Sequence, residues 1–183
     1  MRFTPTDYKL YAWVDASYNV HCDSKGHSGI SITLGRHNAP LYCRSSKQKL
    51  VTRSSTEAEL VAMDSAMIPI MDLIQLLKFF GWQDLPTIIF QDNISSIWFA
   101  QHNVTRSGKM RHLLNRFHYI SEQVQLGNIT LIHCETLHMI VDILTKPKSG
   151  RDYNRLRDLL LNISDNPEAI TVLINILDRC SKW

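Results

Sequence analysis

The sequence has no closely spaced cysteines. Its four, Cys22, Cys43, Cys134 and Cys180, make no CxxC pair, which argues against zinc ribbons and dithiol redox motifs and for reduced thiols in an intracellular protein. Cys43 and Cys134 lie in apolar segments and are expected to pack as small hydrophobes. No apolar run reaches the roughly 18 to 20 residues that span a bilayer. Met1–Pro5 leads into polar residues rather than the apolar stretch of a signal peptide, so no membrane partner is expected. Acids are missing from two long windows. Between Ser24 and Thr56 there are Lys25, Arg36, Arg44, Lys47, Lys49 and Arg53 but no carboxylate. Between Asn93 and Ser121 there are Arg106, Lys109, Arg111 and Arg116, again with none. Such one-signed stretches suit a polyanionic partner, with plain solvated surface as the alternative.

What is present fits one domain of ordinary size with room for an appendage. The chain has 183 residues, 44% of them hydrophobic and 20% charged, and a net charge of +3 that by itself decides little.

Leu10–Val14 reads as a buried strand ending at Asp15, Ser28–Leu34 as an alternating strand, and Ala39–Cys43 as a third after a turn at Gly35–Asn38. Ser54 and Glu57 make an Ser-x-x-Glu capping box that starts a helix running to about Met67. Pro69 should end that helix or open a second one over Ile70–Phe80, closed by Gly81. Thr87–Gln91 is a strand ending at Asp92, Asn93–Gln101 a short helix, and Leu113–Leu126 a longer one stopped by Gly127. Ile129–Cys134 is the fifth strand. Helices follow at His138–Thr145 and Asp152–Ile163, and at Asn166–Arg179 with Asn166 as N-cap. Three early strands and then alternating helix and strand imply an α/β fold, a mixed sheet with helices on its faces.

Four acids stand where chemistry could use them. Asp15 and Asp92 each follow an apolar strand. If those strands are parallel neighbours, the two carboxylates come together at the carboxyl edge, where open α/β sheets bind ligands. A hard divalent cation with oxygen ligands would relieve their repulsion. Glu57 is occupied by the capping box. Glu59 shares a helix face with Ala62, Met63 and Ala66, so it heads a stripe that should face the sheet, where an unpartnered carboxylate is costly. Asp142 is the fourth acid, within an apolar segment after the last strand.

Asp15–Ala16–Ser17, Ser45–Ser46–Lys47–Gln48–Lys49, Ser54–Ser55–Thr56–Glu57–Ala58–Glu59, Gln91–Asp92–Asn93 and Val141–Asp142–Ile143–Leu144–Thr145–Lys146–Pro147 occur in this order. With Arg111–His112–Leu113 and Arg116–Phe117, this pattern resembles the ribonuclease H domain of copia-type LTR retrotransposon polyproteins, over roughly residues 8–163. The resemblance implies a five-stranded ribonuclease H-like fold as a domain over 1–163, with an extra C-terminal helical extension over 164–183. It implies cleavage of the RNA strand of an RNA–DNA hybrid with two Mg²⁺ or Mn²⁺ ions. Asp15 would bridge both ions, Glu59 and Asp92 would hold the leaving-group ion, and Asp142 the nucleophile-side ion. Lys47, Lys49, Arg53, Lys109, Arg111 and Arg116 would contact hybrid phosphates.

The implied partners are the hybrid and the reverse transcriptase domain of the same polyprotein. The implied location is the cytoplasm, within a virus-like particle, or the nucleus. His138, four residues before Asp142, is a candidate for product release, with a structural histidine as the alternative. An integrase would end its acid set in Glu, and a proofreading exonuclease would carry Glu at position 17, where this chain has Ser. A catalytically silent domain that binds nucleic acid or a polymerase remains the rival, and the presence of all four acids weighs against it.

Overall fold

The structure, a computed structural model, describes residues 1, 7–35, 38–102 and 114–163. Five strands form one sheet: β1 (Leu10–Ser17), β2 (His27–Leu34), β3 (Pro40–Lys47), β4 (Thr87–Gln91) and β5 (Thr130–His133). Their order across the sheet is β3-β2-β1-β4-β5. β1 pairs antiparallel with β2, and β2 with β3, as a meander; β1–β4 and β4–β5 are parallel. The central strand β1 is buried along its whole length, because helices cover both faces.

On one face, Leu10, Ala12, Val14 and Ala16 of β1 meet Ala58, Ala62, Met63, Ala66 and Ile70 of α1 (Ser55–Phe79), with α2 (Ile94–His102) and α3 (Leu114–Gln125) completing the layer. On the other, Tyr11, Trp13 and Phe90 pack as an aromatic cluster beneath Leu159 and Leu160 of α5 (Gly150–Leu161), beside Met139–Val141. The alternation of β1 side chains between these cores is the period-two geometry of a strand.

Pro69 does not break α1. The helix runs unbroken through it for 25 residues. An interior proline costs about 3 kcal/mol. Met63, Met67 and Ile70 are fully buried against the sheet, and each returns about 1.5 to 3 kcal/mol. Tertiary burial therefore outweighs the local cost. α1 is also long and apolar enough, by length and composition, to cross a bilayer, although no unbroken apolar run marks it in the sequence. Half of its most apolar window is buried inside the fold, so the core accounts for that apolarity. Gly81, at φ 93°, ends the helix as expected.

The expected helix over His138–Thr145 is divided. A single 3₁₀ turn spans Thr136–His138, Met139–Val141 dips into the core, and α4 covers only Asp142–Thr145. Burying three consecutive apolar side chains overrides local helix preference here. Cys134 is buried, but Cys43 is exposed on the edge strand β3, so only Cys134 packs as a core residue. The extension over 164–183 lies outside the described residues.

Candidate active site

The last register pair between β1 and β4 is Trp13 with Phe90. Two residues beyond it along each chain segment stand Asp15, still within β1, and Asp92, just past the end of β4, side by side where the two parallel strands part. Glu59 comes from the first turns of α1. Its orientation is set by Ser54, whose Oγ accepts the Glu57 N–H at 3.2 Å, and by Glu57, whose carboxylate accepts the Arg53 N–H at 2.7 Å. The expected Ser54–Glu57 capping box is thus formed, with the Glu57 carboxylate reaching back to Arg53. It turns Glu57 back toward the helix start and leaves Glu59 facing the sheet.

Carboxylate oxygens of Asp15, Glu59 and Asp92 all lie within 4.8 Å of one another. Asp15 is 1% exposed and Glu59 5%. Burial raises the pKa of Asp15, with smaller upward contributions from Asp92 and Asp142, against the hydrogen bond from Thr145 and the charge of Lys146. Burial also pushes Glu59 well above the usual carboxylate range, reinforced by Asp15 and Asp92. Three acids gathered in low dielectric are unfavourable unless a cation joins them. All three offer hard oxygen donors, so the group fits Mg²⁺ or Mn²⁺.

Side chains around the acids fix their orientation. Gln91, fully buried, donates to Glu59 Oε2 at 3.0 Å through Nε2, while its Oε1 accepts the Asp92 N–H at 2.8 Å. Thr136 donates to Asp92 Oδ2 at 3.0 Å. Thr145 Oγ1 donates to Asp15 Oδ2. α4 is itself pinned to the sheet, because Ser17 Oγ donates to the Thr145 carbonyl at 2.8 Å and Ser45 Oγ to that of Leu144 at 2.7 Å. Gly29 permits this approach. A Cβ there would lie 2.8 Å from Thr145 Cγ2 and 3.0 Å from the Val141 carbonyl oxygen.

Asp142 is brought to the same edge but not into the carboxylate trio. It begins α4, is 4% exposed, and is held by Lys146 at 2.5 Å on Oδ1 and by Lys148 on Oδ2. These hydrogen bonds and charges outweigh burial and draw its pKa down. Lys146 also lies 3.9 Å from Asp15 Oδ2. Sequence reasoning assigned no role to Thr145, Lys146, Lys148, Gln91 or Ser17. The Thr145–Lys146–Pro147 motif was the available signal for the first two.

Of the expected phosphate contacts, Lys47 is paired with Asp23 at 2.7 Å, which with Lys25 lowers the Asp23 pKa to about 2. Lys49 and Arg53 are exposed. Arg116 is engaged with Asp64 of α1. Lys109 and Arg111 lie outside the described residues. His138 Nε2 is 3.9 Å from Glu135, and its Nδ1 is buried without a hydrogen-bond partner. His133 Nε2 lies 3.1 Å from the Asp92 carbonyl oxygen.

No family model matches the chain. Among solved structures, LC11-RNase H1 in complex with RNA/DNA hybrid is similar at a TM-score of 0.55 and 17% identity, covering 74% of this chain and 93% of that one. The prototype foamy virus protease-reverse transcriptase is similar at 0.54 and 16%, covering 79% of this chain and 21% of that one. The fold is therefore that of ribonuclease H. In sequence, the chain is 34% identical over 142 residues to the retrovirus-related Pol polyprotein from transposon RE2 of Arabidopsis thaliana, and 33% to that from transposon RE1. The chain belongs to this retrotransposon Pol family. The match covers 76% of the chain, which spans 10% of the length of those relatives.

Proposed function

We propose that this domain hydrolyses the RNA strand of an RNA–DNA hybrid, using divalent metal ions held by Asp15, Glu59, Asp92 and Asp142. The observation that carries the reading is the trio of Asp15, Glu59 and Asp92 within 4.8 Å, two of them buried, at the carboxyl edge of adjacent parallel strands. When bound, two divalent ions supply an activated water and neutralise charge at the scissile phosphate. The protein's part is orientation: Thr145 fixes Asp15, Gln91 fixes Glu59, and Thr136 fixes Asp92. Water oxygen bonds to phosphorus as the bond to the 3′ oxygen breaks, leaving a 5′-phosphate and a 3′-hydroxyl.

Lys47, Lys49 and Arg53, on β3 and the loop that leads into α1, serve as phosphate contacts, giving sequence-independent, salt-sensitive binding. Lys109, Arg111 and Arg116 are further phosphate contacts in this reading, and His138 is the candidate for product release. The hybrid in the LC11-RNase H1 complex supports the choice of substrate. A reverse transcriptase carried in the same polyprotein is the proposed partner, as the Pol relatives and the foamy virus protein suggest.

The test is cleavage of a labelled hybrid with Mg²⁺ or Mn²⁺, beside duplex RNA, duplex DNA and an Asp15→Asn control. Hybrid-only, metal-dependent cutting that is lost in the control supports the reading. Hybrid binding without cutting in either metal would instead favour a nucleic-acid-binding module.

A further inference from the structure

Charge is distributed unevenly over the four acids. Asp15, Glu59 and Asp92 crowd together, and among the described residues ammonium groups enter at the Asp142 side. Lys146 Nζ sits 2.5 Å from Asp142 Oδ1 and 3.9 Å from Asp15 Oδ2, so it bridges the two acids that a second divalent ion would have to share. This is not an ordinary surface i,i+4 pair. Asp15 and Asp142 are 1% and 4% exposed, and the backbone of Lys146 is tied to the same α4 turn by its N–H bond to the Asp142 carbonyl at 3.0 Å. The side chain is 41% exposed on a flexible four-carbon stem. It can therefore leave the site without rearranging the fold.

We propose that Lys146 is a built-in counter-cation that competes with a divalent ion for the Asp15–Asp142 pair, so that the nucleic-acid-free domain takes up one ion at Asp15, Glu59 and Asp92 rather than two. The inference rests on reading the carboxylates as a divalent-ion site. Lys148 plays a lesser part, because among the described residues its recorded ion pair is with Asp142 Oδ2 and not with Asp15. Lys146 is in this sense a positioning residue: it sets the order in which charge fills the site.

The experiment is calorimetric titration of Mn²⁺ into the whole chain without nucleic acid, comparing wild type with Lys146→Met, Lys146→Arg, Lys148→Met and Asp15→Asn. Wild type is expected to bind one ion. Lys146→Met should bind two, its second-site affinity rising about ten- to a hundredfold, the range expected when a charge-assisted competitor is removed. Lys146→Arg keeps the positive charge and should stay at one, and so should Lys148→Met. A merely structural role for Lys146 would not move stoichiometry in this charge-dependent way. Should Lys146→Met not fold, as judged by its thermal transition, Lys146→Gln provides the same removal of charge. Two ions on wild type, or an unchanged single ion on the charge-removing variants, would overturn the inference and leave the metal site standing. Binding unaffected by Asp15→Asn would overturn the metal site itself, and the inference with it.

Discussion

Replacing Glu59 by Gln should make the metal-free protein more stable while destroying its proposed activity. Glu59 is 5% exposed and has two carboxylate neighbours within 4.8 Å. At that distance and an effective dielectric of about 20, each fully ionised like-charge pair costs about 3.5 kcal/mol. Burial raises the Glu59 pKa, and repulsion from Asp15 and Asp92 raises it further, so the fold favours the protonated form. The folded pKa lies above the unfolded value, so the Glu59 contribution to stability is fully present below the unfolded value of about 4.5. It is lost as pH rises through the folded value. Gln abolishes that loss. At about pH 4, below the unfolded value, the variant and wild type should melt together. At about pH 8 in EDTA the variant should be the more stable by about 1 to 3 kcal/mol, the order of the cost of a buried polar group left without a compensating partner, a rise in melting temperature of roughly 2 to 12 °C for a chain of this size. Fluorescence-monitored melts across this range decide the matter. A variant that is less stable at every pH, or whose gain does not grow with pH, would refute the buried-cluster argument. Glu57→Gln is the internal contrast: it weakens the cap by about 1 kcal/mol or less and leaves most of the activity in place.

Adding Mg²⁺ or Mn²⁺ at a hundredfold excess over its dissociation constant should stabilise the domain by about 2.7 kcal/mol. The effect should be larger at high pH, because the ions need ionised Asp15 and Glu59; thermal shift in the two metals checks it. Gly29→Ala should cost about 1 to 3 kcal/mol by pushing α4 off β2, and should reduce cleavage beyond what the stability loss explains, as urea melts and hybrid assays together would reveal. Thr145→Val removes the hydroxyl that orients Asp15, and cleavage or metal affinity should fall about 10- to 100-fold. Lys49→Ala and Arg53→Ala should each make the salt dependence of hybrid binding shallower by about 0.9 in slope, read from binding isotherms at several salt concentrations.

Much of the sheet could be read along the chain, because a strand's period and its ending acid are local properties. Gln91–Asp92 marks the end of β4, whereas β1 runs on past Asp15 to Ser17; the parallel pairing of β1 with β4 ends at Trp13 and sets Asp15 beside Asp92. The choice of Glu59 over Glu57 was also local, resting on helical spacing and a capping box; in the fold Glu57 accepts the Arg53 N–H while Glu59 stands with Asp15 and Asp92. Local rules were misleading where burial opposed them. Pro69 signalled a break that the packing of Met63, Met67 and Ile70 suppresses. Met139–Val141 looked helical and instead dives between the sheet and α5.

The sequence by itself determined the apolar runs that lead to Asp15 and Asp92 and the capped start of α1, since neighbouring residues along the chain suffice for each. Only the tertiary structure decided that Asp142 meets two lysines while the other three acids meet one another, and that Thr145 orients Asp15 across 130 positions of chain. Such partnerships join residues whose spacing carries no period, and they exist only once Gly29 lets α4 lie against the sheet.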